Sequence, residues 1–280
     1  MVAGGGGASR LAAAIDSHGT SRDIAGMSAI IAKLFRYPVK GLSPQRLDRV
    51  DLSVGDGMPG DRRYALARSG VVIDPTAPTW MPKRNFLMLA LNARLAAIET
   101  RYDETDDRLE VWRAGHAVAH GRLSDPLGRA VIEDFFAAYL GAEAGGKPRL
   151  VAAAGGHMFS DCAQRVVSLI GLASVDDLAR VVGQPVDPLR FRANIYMAGT
   201  QPWQEFAWIG KTLRIGATRL TVTARIDRCA ATTVNPATGE RDINVPKLLR
   251  AGFGHIELGV YARVESAGGV AMGDTIELAN

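Results

Sequence analysis

Residues Arg225–Asp242 read RIDRCAATTVNPATGERD. The apolar residues around the start of this stretch, Leu220, Val222 and Ile226, alternate with polar ones, which predicts a strand with one face buried. Asn235-Pro236 and Thr238-Gly239 then end the pattern with turn residues. A strand that opens into a polar loop therefore carries Cys229 near its end, with Arg225 and Arg228 close by in sequence, a setting that suits thiolate chemistry. The plain alternative is that Cys229 is a small buried hydrophobe, as free cysteines commonly are.

Strand signals extend to both sides of this stretch. Upstream, Ser28–Tyr37 and Arg46–Val54 read as strands, and Arg62–Ala67 reads as one arm of a hairpin closed by Ser69-Gly70 onto Val71–Ile73. Leu95–Tyr102 and Leu109–Arg113 form another hairpin, and Ala117–Leu123 a further strand. Short strands with turns this close together predict a small β-barrel or sandwich. The period changes after Ser124-Asp125-Pro126, where Leu127, Val131, Phe135, Phe136 and Tyr139 recur at helical spacing up to Gly141. Ser174, with an acid three positions later, predicts a helix that runs through Val182 to Gly183. Beyond Arg190 the strands return at Asn194–Met197, Trp208–Ile215, Arg219–Arg225, Ile256–Val264 and Thr275–Leu278, with one helix over Val245–Arg250.

Of the 280 residues, 47% are hydrophobic and 22% charged, an ordinary globular balance with ample material for a core. The formal charge of +4 comes from scattered arginines, which suits a small anionic ligand and argues against nucleic acid, since that would call for a concentrated basic stripe. Two cysteines, Cys162 and Cys229, support neither a disulfide scaffold nor a Cys-rich metal cluster, so the reducing cytoplasm is the expected compartment. No apolar run is long enough to cross a bilayer. The first residues, through Gly26, read as a flexible leader, with a transit peptide as the weaker alternative. A phosphate-binding P-loop, a dinucleotide fingerprint and a Gly-x-Ser-x-Gly elbow are all absent, which removes the commonest nucleotide-binding and hydrolase readings. What stands out is a set of basic residues next to turns: Lys40, Arg62, Arg63, Arg190, Arg192 and Arg228. Guanidinium groups fork onto phosphate or carboxylate oxygens, so these residues beside a candidate thiolate suggest an anionic cofactor.

Four separated segments carry a family resemblance: Tyr37-Pro-Val-Lys-Gly41, Gly60-Asp-Arg-Arg-Tyr64, Phe191-Arg-Ala-Asn194 and Arg228-Cys-Ala-Ala-Thr-Thr-Val-Asn-Pro-Ala-Thr-Gly239. In this order they resemble the signature segments of the MOSC family, named after the C-terminal domain of molybdenum cofactor sulfurase. They are similar to the branch that includes the mitochondrial amidoxime-reducing component and its bacterial relatives. The resemblance runs from about Ile30 to Leu278. It implies a mostly β fold with a few helices, with an N-terminal MOSC-type β-barrel domain over residues 28–123 and a MOSC β-barrel domain over 124–280, after a leader over 1–27.

The same resemblance implies a molybdenum cofactor, molybdenum on molybdopterin. Cys229 would be the protein ligand to the metal. Lys40, Arg62, Arg192 and Asn194 would hold the pterin and its phosphate, with Arg228 beside the cysteine, and Ser174 lies in a segment that supplies further polar contacts. Asp227 stands where the animal enzymes have a small polar residue and would face the substrate. The implied activity is two-electron reduction of small N-hydroxylated or N-oxygenated compounds, a soft sulfur donor set being suited to such a metal. With no second redox site in the chain, electrons would come from an external donor such as a ferredoxin, a flavoprotein or a small haem protein. The alternative is a cofactor or sulfur carrier with Cys229 as thiolate or persulfide. A third reading is a ligand-binding β domain with an inert thiol. Cys162 is expected to be structural or incidental.

Overall fold

The computed structural model describes residues 29–74, 76–153 and 157–279; the expected leader lies outside the described residues. The strands are β1 (Ala29–Arg36), β2 (Gln45–Leu47), β3 (Arg49–Leu52), β4 (Tyr64–Ala67), β5 (Glu99–Asp103), β6 (Arg108–Arg113), β7 (His116–Arg122), β8 (Arg149–Ala152), β9 (Val167–Gly171), β10 (Ile195–Ala198), β11 (Thr212–Ile215), β12 (Thr218–Asp227), β13 (Glu257–Ser266), β14 (Gly268–Ala271) and β15 (Thr275–Leu278). Three α-helices accompany them: α1 (Pro126–Leu140), α2 (Leu172–Val182) and α3 (Val245–Phe253). The fold is thus mostly β with a few helices, as the sequence predicts.

Seven strands close a barrel in the order β1-β10-β9-β13-β12-β11-β15 and back to β1. Ladders in it are antiparallel except for β9 against β10. Closure leaves no open edge in the ring, and β2 extends the β15 side of β1. Period-two alternation along β12 sends Thr218, Leu220 and Val222 inward, where they join Leu34, Val167, Leu169, Ile195, Leu213, Val260 and Ile276 in the barrel core. Burying a side chain such as Leu220 stabilises the fold by about 1.5–3 kcal/mol.

A second core lies under the three-stranded sheet β5-β6-β7 and α1, where Leu109, Val111, Ile132, Phe136 and Leu140 pack with Leu66 and Leu95. A third packs α2 and α3, through Val175, Leu178, Val245 and Leu249, onto the outside of the barrel at Ile170, Tyr196 and Leu258. Pairing crosses the expected boundary between residues 123 and 124: β1 and β2 belong to the barrel sheet, whereas α1 packs on β7, β3 pairs with β14, and β4 with β8.

Several local expectations are corrected. Val71–Ile73 forms no hairpin with Arg62–Ala67, because β4 pairs with β8 on one edge while Phe86 and Leu87 occupy the other. All four residues of β4 are buried, so both edges are spoken for and Val72 is left 85% exposed. Arg46–Val54 breaks at Asp48 into β2 and β3, which serve different sheets. Helix α1 is capped by Asp125 and buries Gly128, Ile132, Phe136 and Leu140, so its buried stripe is offset from Leu127, which is 73% exposed. Helix α2 starts at Leu172, ahead of the expected cap Ser174, whose hydroxyl is bound elsewhere. Strands β9 and β14, four or five residues long, were not anticipated.

Candidate functional site

The barrel presents a polar row on its outer face. Ala224, Tyr261 and Ser168 are cross-strand partners on β12, β13 and β9. Their neighbours Val167, Leu169, Val260 and Ala262 point into the core, so alternation sends this row the other way. Facing it are Lys40-Gly41, Asp61-Arg62, Lys83, Met88–Ala90, Met158 and Ser160–Cys162, and the space between is a cleft of about 820 Å³. Cys229 lines this cleft just past the end of β12, and so do Lys40, Arg62, Arg192, Asn194, Asp227 and Arg228. Residues separated by up to 189 positions are thereby brought to one wall system. Ser174 is not among the lining residues: it is fully buried, donates to Glu205 at 2.8 Å, and accepts from the Trp203 amide.

The Cys229 loop is held by its own polar groups. Thr232 returns its amide and hydroxyl to the Cys229 carbonyl at 3.0 and 2.9 Å. Arg241 donates to the Ala230 carbonyl and the Thr233 hydroxyl, and its other nitrogen reaches the Leu89 and Ala90 carbonyls, which ties the loop to the opposite wall. Arg228 is spent on support: its guanidinium donates to the Leu258 and Phe191 carbonyls. Burial pushes its pKa down to about 10, so it stays charged at neutral pH. Gly259 leaves room for this arrangement. Its φ is +79°, and a Cβ there would stand 2.5 Å from Ile170 and 3.1 Å from Arg228.

Arg62 and Arg192 both sit on left-handed backbone, at φ of 49° and 52°, a conformation that costs a non-glycine residue about 1–3 kcal/mol and often marks a functional site. Arg62 is paired with buried Asp61, whose other oxygen accepts the Tyr37 amide at 2.7 Å. Arg192 lies 4.2 Å from the Tyr37 ring centroid and donates to the Leu42 carbonyl at 2.7 Å. Burial pushes its pKa down to about 10. Its Nη2 has no partner, and neither has Nε of Arg190, whose other nitrogens bind Asp242 and the Thr233 carbonyl. Asn194 bridges β9 and β1 through Ser168 and the Phe35 carbonyl.

Lys40 is already engaged: its ammonium donates to the Phe159 carbonyl at 2.8 Å and to Asp161 at 2.5 Å. Burial opposes ionisation of Asp161, but Lys40, Lys83 and Arg62 bring its pKa down to about 2. Lys83 was missed in the sequence. It reaches Asp161 at 3.3 Å, and although burial works against its charge, Asp161 and the Cys229 thiol beside it hold its pKa above the ordinary value. Nothing in Pro82-Lys83-Arg84-Asn85 signals this, because Lys83 meets Cys229 only through the fold. Cys162 also lines the cleft.

Asp227 is exposed and its carboxylate forms no hydrogen bond or ion pair among the described residues, whereas Arg225 donates to Glu257 at 3.2 Å and stacks 4.3 Å from the Phe206 ring centroid. The cleft thus combines a thiol, two buried arginines each short of one partner, and an acidic and apolar end. No described group of His, Cys, Asp and Glu residues could hold a metal by itself. A metal on this cleft would therefore need donors beyond the side chains, such as a sulfur-bearing organic ligand.

Comparison with known proteins gives one family match: the model described as MOSC domain covers residues 154–277. Among solved structures, the YuaD protein from Bacillus subtilis is 16% identical, covers 90% of this chain and 96% of its own, and has a TM-score of 0.44. YiiM from Geobacillus stearothermophilus is 17% identical, with 41% of this chain and 54% of its own covered and a TM-score of 0.33. No curated protein matches at a significant level. The segment 154–277, which carries the Cys229 loop and six of the seven barrel strands, thus matches the MOSC domain, of a family that includes molybdenum-cofactor-associated members.

Proposed function

We propose that the cleft binds a molybdenum–pterin cofactor with the Cys229 thiolate as protein ligand, and that the protein reduces N-hydroxylated compounds with electrons from an external donor. The observation that carries this reading is the pair of buried, unpartnered N–H groups on Arg192 and Arg190, lining the same cleft as a thiol. Buried donors without partners are rare enough to call for a ligand, and an anion such as a phosphate is the natural acceptor. The cleft's volume suits a cofactor of this size.

In this reading Arg192 and Arg190 bind the phosphate, with Arg62 adding charge. Arg228 and Asn194 act as braces, since their polar groups are largely committed to the protein. Lys83 keeps a positive charge beside the sulfur of Cys229. Lys40 holds the 159–161 segment over the cleft through Asp161. When bound, the cofactor would supply two-electron oxygen-atom chemistry, while this chain supplies orientation and charge.

The test is turnover. Protein made in a host competent for cofactor synthesis should carry molybdenum and pterin and should reduce benzamidoxime with an artificial reductant. Full metal and pterin occupancy without turnover would favour a carrier of cofactor or sulfur. Absence of both would overturn the reading.

A further inference from the structure

Two lysines from separate segments share one carboxylate in the cleft: Lys40 and Lys83 both bind Asp161, at 2.5 and 3.3 Å. The charges around them are accounted for. Arg62 is paired with buried Asp61, Arg228 is turned to backbone carbonyls, and the Cys229 thiol lies beside Lys83. Two ammonium groups therefore face a single carboxylate. Asp161 is also the accessible member of the cluster, its side chain 47% exposed against 6% for Lys40. The segment that carries it has anchors that do not use this side chain. The Phe159 amide donates to the Arg62 carbonyl at 2.9 Å, the Phe159 carbonyl accepts from Lys40 at 2.8 Å, and the Phe159 ring packs 5.3 Å from that of Phe86. The carboxylate can thus turn away while the segment stays in place.

We propose that Lys40 and Lys83 form an oxyanion seat in which Asp161 is a built-in, displaceable occupant, and that a phosphate-type oxyanion takes its place between the two ammonium groups. Carboxylate and phosphate oxygens accept the same charge-assisted hydrogen bonds, so one can stand in for the other. An incoming anion must displace Asp161, and its measured affinity is lowered by that competition. This rests on the reading that the cleft takes an anionic ligand, and it adds a second seat to the one at Arg190 and Arg192. Its test uses inorganic phosphate and no metal, so its failure is separate from an absence of molybdenum.

The experiment titrates inorganic phosphate into the full chain at pH 7 and fixed ionic strength, followed by calorimetry. Asp161→Asn should bind phosphate about tenfold more tightly than the wild type, because the competitor is gone. Adding Lys83→Gln to that variant should cancel the gain, whereas adding Arg192→Ala should leave it, since the two seats are separate. Asp56→Asn removes a carboxylate that pairs with Arg165 and does not line the cleft, so it should change phosphate affinity by less than about twofold if the effect is local. In the wild type itself, the carboxyl carbon resonance of Asp161 should shift as phosphate saturates, a readout that needs no variant. An Asp161→Asn affinity equal to or weaker than the wild type's, a gain that survives Lys83→Gln or is lost with Arg192→Ala, an equal gain in Asp56→Asn, or an Asp161 resonance unmoved by phosphate would each overturn the proposal.

Discussion

Arg192 concentrates the costs of this site in one residue: left-handed backbone, a buried guanidinium, and an N–H with no partner. Such costs persist where a ligand offsets them, so Arg192→Ala should weaken retention of a phosphate-bearing cofactor by about 1.5–3 kcal/mol, the worth of a charge-assisted hydrogen bond. Pterin fluorescence remaining after gel filtration, compared with the wild type, measures this, and unchanged retention would count against the assignment. Asp161 gives a prediction in pH. Its folded pKa is about 2, below the unfolded carboxylate value, so the stability it adds is present above about pH 4 and is lost as pH falls toward 2. Asp161→Asn should therefore lower the urea midpoint at pH 7 more than at pH 3; an equal change at both would show that its charge is not what matters. Cys229, Lys40, Arg62 and Arg192 were legible in sequence because they sit in short motifs beside turns. That Lys40 is spent on Asp161, that Ser174 faces Glu205, and that Lys83 meets Cys229 were not, since each contact joins segments far apart in the chain.

At the scale of elements, the cleft depends on how closely β13 can pass the Cys229 loop. Gly259→Ala would force a left-handed alanine and place its Cβ against Ile170 and Arg228. The expected cost is about 1–3 kcal/mol from overpacking alone, read as a drop in denaturant midpoint. If stability is unchanged, Arg228 is not held as described. Element types were largely readable from period and punctuation, as in β1, β12 and α3. Their partners were not: Arg62–Ala67 reads as a hairpin arm, yet its ladder is with β8, more than eighty residues on. Likewise β9 is five buried residues with no alternation to betray it.

For the whole molecule, the barrel closes only because β1, from the start of the described chain, lies between β10 and β15. The family match begins at residue 154 and so omits that strand. A fragment spanning 154–280 should fail to melt cooperatively, because an unclosed barrel exposes the ladder edges of β10 and β15. A sharp calorimetric transition for the fragment would contradict this account of the fold. The proposed function rests on Cys229 as the protein ligand to molybdenum. Elemental analysis with pterin determination, on wild type and Cys229→Ser made side by side in a cofactor-producing host, tests that most directly. The account predicts molybdenum with pterin in the wild type and loss of molybdenum in Cys229→Ser, and it is contradicted if the variant retains the metal or the wild type holds neither.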